Sequence, residues 1–351
     1  MQTLNVFTNL PDSLPEGKAD FLLAASVTKT CEIEGLTQAG IPGKIPLTPT
    51  LDAEYITNGK VFSMPELAET PTGVPTPALI TRAVHNLVGF SHIEVLNLGL
   101  DPLPQNTPLA SFGICASESI TKGANIDAKE IFKKGMTAGK NYELKGNYLI
   151  LGESTPAGTT TATATALALG YDLRDDFSSS FSNAPSDIKN QTIDKALSLI
   201  NDDMSNFEKL SIVSDNMLIF CAGFIVEASR RFHIVLAGGT QMASCFLMAD
   251  KLKEDTLMRV QCDNITLATT AWVARDEHSN IKNILSKLSF TPHAVYTSFS
   301  FAKTQIPVLK KYDDGEAKEG VGAGASLGFA NTNNITSQEL LEAIEHLIYS
   351  M

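Results

Sequence analysis

Cysteine is scarce and poorly spaced for structural chemistry. The five present, Cys31, Cys115, Cys221, Cys245 and Cys262, form no C-x-x-C pair and leave an odd count. A disulfide framework or a thiolate zinc site is therefore not expected, and the cysteines in apolar runs read as small hydrophobes. Histidine is as sparse. His85, His92, His233, His278, His293 and His346 make no H-x-x-x-H or comparable ligand spacing, so no catalytic metal and no resident cofactor is expected. Basic charge is in deficit, with 27 Lys and Arg against 39 Asp and Glu, a net charge of −12. Nucleic-acid backbones and anionic membranes want a basic surface, so neither is the main partner. Small anions stay open, because backbone amides bind them locally. Long apolar runs are also missing. Ser154–Tyr171 is full of Thr, Gly and Pro, and Phe232–Ala249 carries His233, Gln241 and a Gly-Gly pair; neither reads as a membrane span. Met1–Leu10 lacks the basic and apolar regions of a leader. The expectation is a reduced, soluble, cytoplasmic protein. The single tryptophan, Trp272, falls in the apolar run Ile265–Val273, which reads as a core strand.

What is present is a globular composition, 43% hydrophobic and 19% charged, in a chain long enough to bury a large core without staples. Residues 1–75 are rich in Pro, Gly and Thr and read as irregular, with one buried run at Phe21–Ala25. From Pro77 onward the pattern alternates. Helical spacing over Leu79–Val88, Ala128–Tyr142, Ile193–Ile200, Asn216–Arg230 and Gln241–Leu252 is interleaved with strand-like runs. These are Ile93–Leu98, Tyr148–Leu151, Leu210–Val213, His233–Leu236, Ile265–Val273 and Ala294–Phe299. Thr336 and Glu339 make a capping box before the stripe Leu340, Leu341, Ile344, Leu347, Ile348, which predicts a final helix over 336–350. Together these give an α/β fold of three αβα layers. The sheet is mostly parallel and Rossmann-like, small elements from the termini pack on it, and residues 1–351 form a single large domain. In such sheets ligands sit at the carboxyl ends of the strands.

Two loops in that position carry chemistry. Leu149–Ala162 reads as a strand, a glycine turn and a run of small residues opening a helix. A helix N-terminus offers free N–H groups and a positive dipole end, so this is a candidate phosphate cradle. It is not a Walker A loop, because Thr159 stands where the Lys would be, so ATP or GTP hydrolysis is not expected. An ordinary strand–helix turn with a packed Thr/Ala helix fits equally. Glu153 would sit badly beside a phosphate and suits ribose hydroxyls better. Near the other end, Lys318–Ser326 is a second small-residue turn with Glu319 at its entrance. A carboxylate desolvated there would be a better base; the alternative is a surface acid preceding a helix.

Taken in order, these segments resemble the nicotinate-nucleotide:dimethylbenzimidazole phosphoribosyltransferases of cobamide lower-ligand assembly, and more closely their divergent archaeal and bacterial branch. The resemblance runs through Thr48–Glu54, Gly73–Thr81, Gly152–Ala162, Ala222-Gly223, Val235–Gly239 and Glu319–Ala323. Ala237 and Gly239 stand where the main branch has Asp and Phe. The resemblance implies transfer of ribose-5-phosphate from nicotinate mononucleotide to a benzimidazole or purine such as adenine, with loss of nicotinate, in a homodimer. It implies Glu319 as the catalytic carboxylate. Gly158, Thr159, Thr160 and Thr161 would hold the 5′-phosphate, with Lys189 and Ser300 near the nucleotide and Glu153, Gly238, Gly239, Gly320 and Gly322 completing the substrate site. The competing reading is a nucleotide- or base-binding protein on the same fold that has lost the reaction.

Overall fold

The computed structural model describes residues 1–182 and 185–350. Its centre is one eight-stranded sheet in the order β1-β8-β7-β6-β5-β2-β3-β4. The strands are β1 (Thr3–Asn5), β2 (Ala19–Ala25), β3 (His92–Asn97), β4 (Leu109–Ser111), β5 (Tyr148–Ser154), β6 (Ile234–Ala237), β7 (Ile265–Thr270) and β8 (His293–Thr297). All neighbours run parallel except β1, which pairs antiparallel with β8. Strands covered on both faces read as short continuous apolar runs, and their side chains alternate between two cores. On β5, Leu149 and Leu151 enter one core while Tyr148 and Ile150 enter the other; on β6, Ile234 and Leu236 oppose Val235 and Ala237.

The longer helices before the C-terminal pair are α1 (Thr48–Asn58), α2 (Ala78–Leu87), α3 (Ala128–Asn141), α4 (Gly158–Ala168), α5 (Ser186–Leu197), α6 (Asn206–Val213), α7 (Asn216–Ala228) and α8 (Thr240–Lys251). Residues of α3, α4, α7 and α8 fill the first core. Those of α1 and α2, together with the helices Ala323–Thr332 and Ser337–Tyr349, fill the second. The expected three-layer α/β architecture is therefore what the chain adopts. The final helix begins as expected: the Glu339 N–H donates to Thr336 Oγ1 at 3.2 Å, and the Thr336 N–H donates to the Glu339 carboxylate at 2.8 Å.

Three local expectations are corrected. Leu210–Val213 is not a strand but the end of α6, which starts on a capping box between Ser205 and Glu208; the cap and the two helical turns it starts outweigh a short β-branched run. The strand expected to reach Val273 stops at Thr270, whose hydroxyl accepts from the Val273 N–H and caps a short helix, Ala271–Ala274. Trp272 is therefore on a helix and half-buried, stacked on Phe301 with its indole N–H donating to Asp313 at 2.9 Å. The segment 1–75 is not wholly irregular, since it contributes β1, β2 and α1.

Candidate active site

Successive parallel strands end on one edge of the sheet, and there helices of the two faces face each other across a cleft. Counted to its open mouth, the cleft holds about 950 Å³. From one face come the turn Thr155–Ala157, the first residues of α4 (Gly158, Thr159), the segment Ser178–Ser180 and the start of α8 (Thr240, Gln241). From the other come Thr48 and Asp52 of α1 and the run Val74–Pro77 that leads into α2. Glu153 and Ser154, ending β5, and the turn Ala317–Val321 lie between them.

The turn into α4 is tight. Ala157 caps the helix in the left-handed region at φ +63°, a conformation that a non-glycine residue seldom takes. It brings Gly158 and Thr159, the first residues of α4, to the cleft wall, with the Gly158 N–H turned back onto the Thr155 carbonyl at 3.0 Å. Thr155 Oγ1 is buried there without a hydrogen-bond partner among the described residues, an available contact for a bound molecule.

Glu319 is fixed on both oxygens. The N–H of Thr270 (2.9 Å) and the hydroxyl of Thr269 (3.3 Å) donate to Oε2, and the N–H groups of Gly324 (3.0 Å) and Gly320 (3.2 Å) donate to Oε1. Burial disfavours the charge more than these donors favour it, and pushes the carboxyl up to about 7. Glu153 accepts from Gln241 Nε2 at 3.1 Å. Burial first, and then the negative charges of Glu319, Asp215 and Asp52, push it up to about 8. Asp52 accepts from Thr76 Oγ1 and Ser154 Oγ, each at 2.7 Å, and burial lifts it to about 6. Burial thus raises all three of these carboxyls towards neutral pH, beside a helix N-terminus.

The structure brings Glu153, Gly158, Thr159, Gly239, Glu319 and Gly320 onto this one cleft. Thr160 and Thr161 lie behind it in α4, with the Thr161 hydroxyl donating to Asp215. Gly238 is packed against Met242, and Gly322 turns at φ +74° against the ring of Phe21. Lys189 is buried behind the serine segment. Its ammonium donates to the carbonyls of Phe177 (3.1 Å) and Ser178 (3.3 Å), and burial pulls it down to about 8. Ser300 is exposed and donates to Asp313 at 2.8 Å, away from the cleft lining. Sequence reasoning missed Asp52, Gln241 and the serines Ser178–Ser180. It also missed Lys318, which lines the cleft while paired at 3.0 Å with Asp276. The run of three serines was the one available signal. Among the described residues, no group of three or more His, Cys, Asp or Glu is placed to hold a metal ion.

Comparison with known proteins gives three findings. Residues 111–261 match the family DBI_PRT, described as phosphoribosyltransferase; this stretch contains Glu153, the α4 turn, Lys189 and Gly239. Over nearly its whole length the chain is similar to proteins named UPF0284. It is 34% identical over 337 residues to that of Sulfolobus acidocaldarius, with 95% of each chain covered. The identity is 34% to that of Archaeoglobus fulgidus (95% of this chain, 94% of the relative). It is 33% to that of Microcystis aeruginosa (93% and 92%). Among solved structures, the fold resembles the nicotinate-nucleotide-dimethylbenzimidazole phosphoribosyltransferase of Thermus thermophilus. The TM-score is 0.59 at 16% identity, covering 94% of this chain and 82% of that one. A structure of CobT from the same organism gives a TM-score of 0.58 at 15% identity, with coverages of 94% and 84%.

Proposed function

This chain belongs to the UPF0284 family, and from that premise we propose that it is a divergent nicotinate-nucleotide:dimethylbenzimidazole phosphoribosyltransferase, exchanging the base of nicotinate mononucleotide for a lower-ligand base. In this reading ribose-5-phosphate passes to a ring nitrogen of a benzimidazole or purine. Nicotinate leaves, and the α-linked nucleotide serves cobamide assembly. The observation that carries the reading is that Glu319 lines the same cleft as the turn opening α4.

The chemistry follows from the residues. The donor's pyridinium nitrogen takes the electron pair of the breaking C1′–N bond and departs neutral, so nothing further is needed to activate it. The acceptor's attacking nitrogen forms the new bond to C1′, and its other ring nitrogen loses a proton. Glu319, pushed up to about 7, receives that proton on Oε2 as the Thr269 hydroxyl, the longest of its four contacts at 3.3 Å, turns aside. While charge builds at C1′, the ionised carboxylate stabilises it. The α4 N-terminus with Gly158 and Thr159 would hold the phosphate, a handle remote from the reacting carbon. Protonated Glu153 would donate to a ribose hydroxyl. The cytoplasmic homodimer implied by the resemblance belongs to the same proposal, and light scattering in solution tests it.

The direct test is chromatography of the protein with nicotinate mononucleotide and a panel of benzimidazoles and adenine. Release of nicotinate with stoichiometric formation of a new nucleotide is expected. Binding without release for every base would leave a non-catalytic binder.

A further inference from the structure

We infer that Asp52 sets the specificity of the acceptor side of the cleft, selecting a base whose outer edge carries an N–H or O–H donor over one that presents only alkyl groups there. This deepens the proposed transfer reaction and rests on it for the words acceptor and donor.

The two walls of the cleft differ in kind. The wall built from α4, the serine segment and α8 is rich in hydroxyls, those of Thr155, Thr159, Ser178, Ser179, Ser180 and Thr240. The opposite wall, built from α1 and the approach to α2, is mixed: Ala39, Ala68, Val74 and Pro77 offer apolar surface that suits the faces of a flat aromatic ring, between the hydroxyls of Thr48, Thr70 and Thr76. Into this wall the helix α1 sets one carboxyl, that of Asp52, one turn beyond Thr48. Asp52 is only 2% exposed. The other carboxylate on this side, Glu69, is solvent-exposed and so already hydrated.

The hydrogen bonding of Asp52 is incomplete. Each oxygen accepts one hydroxyl, Thr76 Oγ1 on Oδ1 and Ser154 Oγ on Oδ2. An ionised carboxylate has about four acceptor positions, and among the described residues no Lys, Arg or His reaches it within ion-pair distance. Other buried aspartates are better served. Asp215 takes main-chain N–H groups of Met217 and Leu218 besides the Thr161 hydroxyl, and Asp276 has Lys318. If Asp52 only tied α1 to β5 and to Thr76, a neutral amide would accept from one hydroxyl and donate its NH2 to the other without the cost of burying a charge. The carboxyl fits better as a half-satisfied acceptor awaiting a donor from a bound molecule.

A dimethyl edge pressed against Asp52 would displace water and return no hydrogen bond, leaving a buried acceptor unmet. An exocyclic amino group, as on adenine, or a ring hydroxyl, as on 5-hydroxybenzimidazole, would supply the missing donor. A site built to hydrogen-bond its substrate rejects the analogue that lacks the group far more strongly than an apolar pocket tells methylenes apart.

The test is the ratio of kcat/KM for adenine or 5-hydroxybenzimidazole to that for 5,6-dimethylbenzimidazole, measured in wild type, Asp52→Asn and Asp52→Val. Because each ratio is internal to one variant, a general loss of activity does not affect it. The wild type should favour the donor-bearing bases by at least roughly tenfold. Asp52→Val should shift the ratio by roughly 10²-fold towards the dimethyl base. Asp52→Asn, which keeps an acceptor oxygen and the contacts to Thr76 and Ser154, should lie between them. A wild-type preference for 5,6-dimethylbenzimidazole, or the same ratio in all three proteins, overturns the assignment. Should Asp52→Val not fold, Asp52→Asn and the wild type still decide it. If no base releases nicotinate, the transfer reaction itself is lost. Equilibrium dialysis of the same bases against the same proteins then still tests Asp52.

Discussion

The main-chain N–H of Val321 donates to the carbonyl of Glu153 at 2.8 Å, so two turns far apart in the chain are joined backbone to backbone. The consequence is electrostatic. Glu153 is buried and Glu319 half-buried on one cleft, and each negative charge resists the other. One carboxyl therefore ionises first, and the pair supplies a base and an acid together.

Replacing Glu319 with Gln keeps the shape and removes the base. We expect kcat to fall by roughly 10²–10⁴ while the KM for nicotinate mononucleotide barely moves, because the phosphate and ribose contacts are made by other residues. Steady-state kinetics with varied donor check this. A variant as active as the wild type would take Glu319 out of the reaction.

The pH profile should be bell-shaped. Glu319 works as the carboxylate, so kcat/KM should rise with pH through about 7. Glu153 works as the acid, so activity should fall above about 8, and Glu153→Gln should abolish that falling limb. The same shift has a stability sign. Glu153 binds its proton more tightly folded than unfolded, so its contribution is fully present below the ordinary 4.5 and is lost as pH rises through about 8. Thermal melts should therefore show Glu153→Gln gaining on the wild type as pH climbs from 5 to about 9. A constant difference in Tm would contradict a buried, proton-holding Glu153.

Lys189 was expected near the nucleotide, and its ammonium reaches the site through carbonyls. It holds Phe177 and Ser178, the start of the serine segment that lines the cleft. Lys189→Met should loosen that segment and raise the donor KM by roughly tenfold or more, since hydrogen bonds to a buried charge are worth about 1.5–3 kcal/mol. The effect on kcat should be smaller. An unchanged KM would leave Lys189 a structural lysine.

The strands and most helices were legible because the sheet is buried on both faces, which leaves compact apolar runs between amphipathic helices. The helix α1 was not, because its buried residues include Thr48, Thr50, Asp52 and Glu54, so hydrophobic periodicity has nothing to read. The strand assigned to Leu210–Val213 failed for the opposite reason: local β-branched content pointed one way and the Ser205–Glu208 cap the other. Glu153 and Glu319 stood out because glycines flank them at strand and helix ends. Nothing local marks Asp52 or Gln241, which reach the cleft only once α1 and α8 have packed against the sheet. Ser300 follows a strand end as a site residue would, yet its hydroxyl is taken by Asp313.

Gly324 ties the fold to the chemistry most tightly. A Cβ at this position would lie 2.3 Å from the backbone carbon of Thr269 and 2.7 Å from Glu319 Oε2, while its own N–H donates to Glu319 Oε1. The absence of a side chain lets the helix Ala323–Thr332 touch β7 and hold the carboxylate between them. Gly324→Ala must move the helix, at an overpacking cost of about 1–3 kcal/mol, and must weaken the donors that favour the ionised form of Glu319. With those donors weakened, the Glu319 carboxyl should move further up, so the rising limb of the pH profile should shift to higher pH. Gly328→Ala is the control. Its added Cβ would meet the side chain of Leu14 at 2.7 Å, which can give way, and Glu319 is not among its neighbours. That variant should lose stability without moving the limb. Equal pH profiles for the two variants would mean that the helix N-terminus does not tune the base.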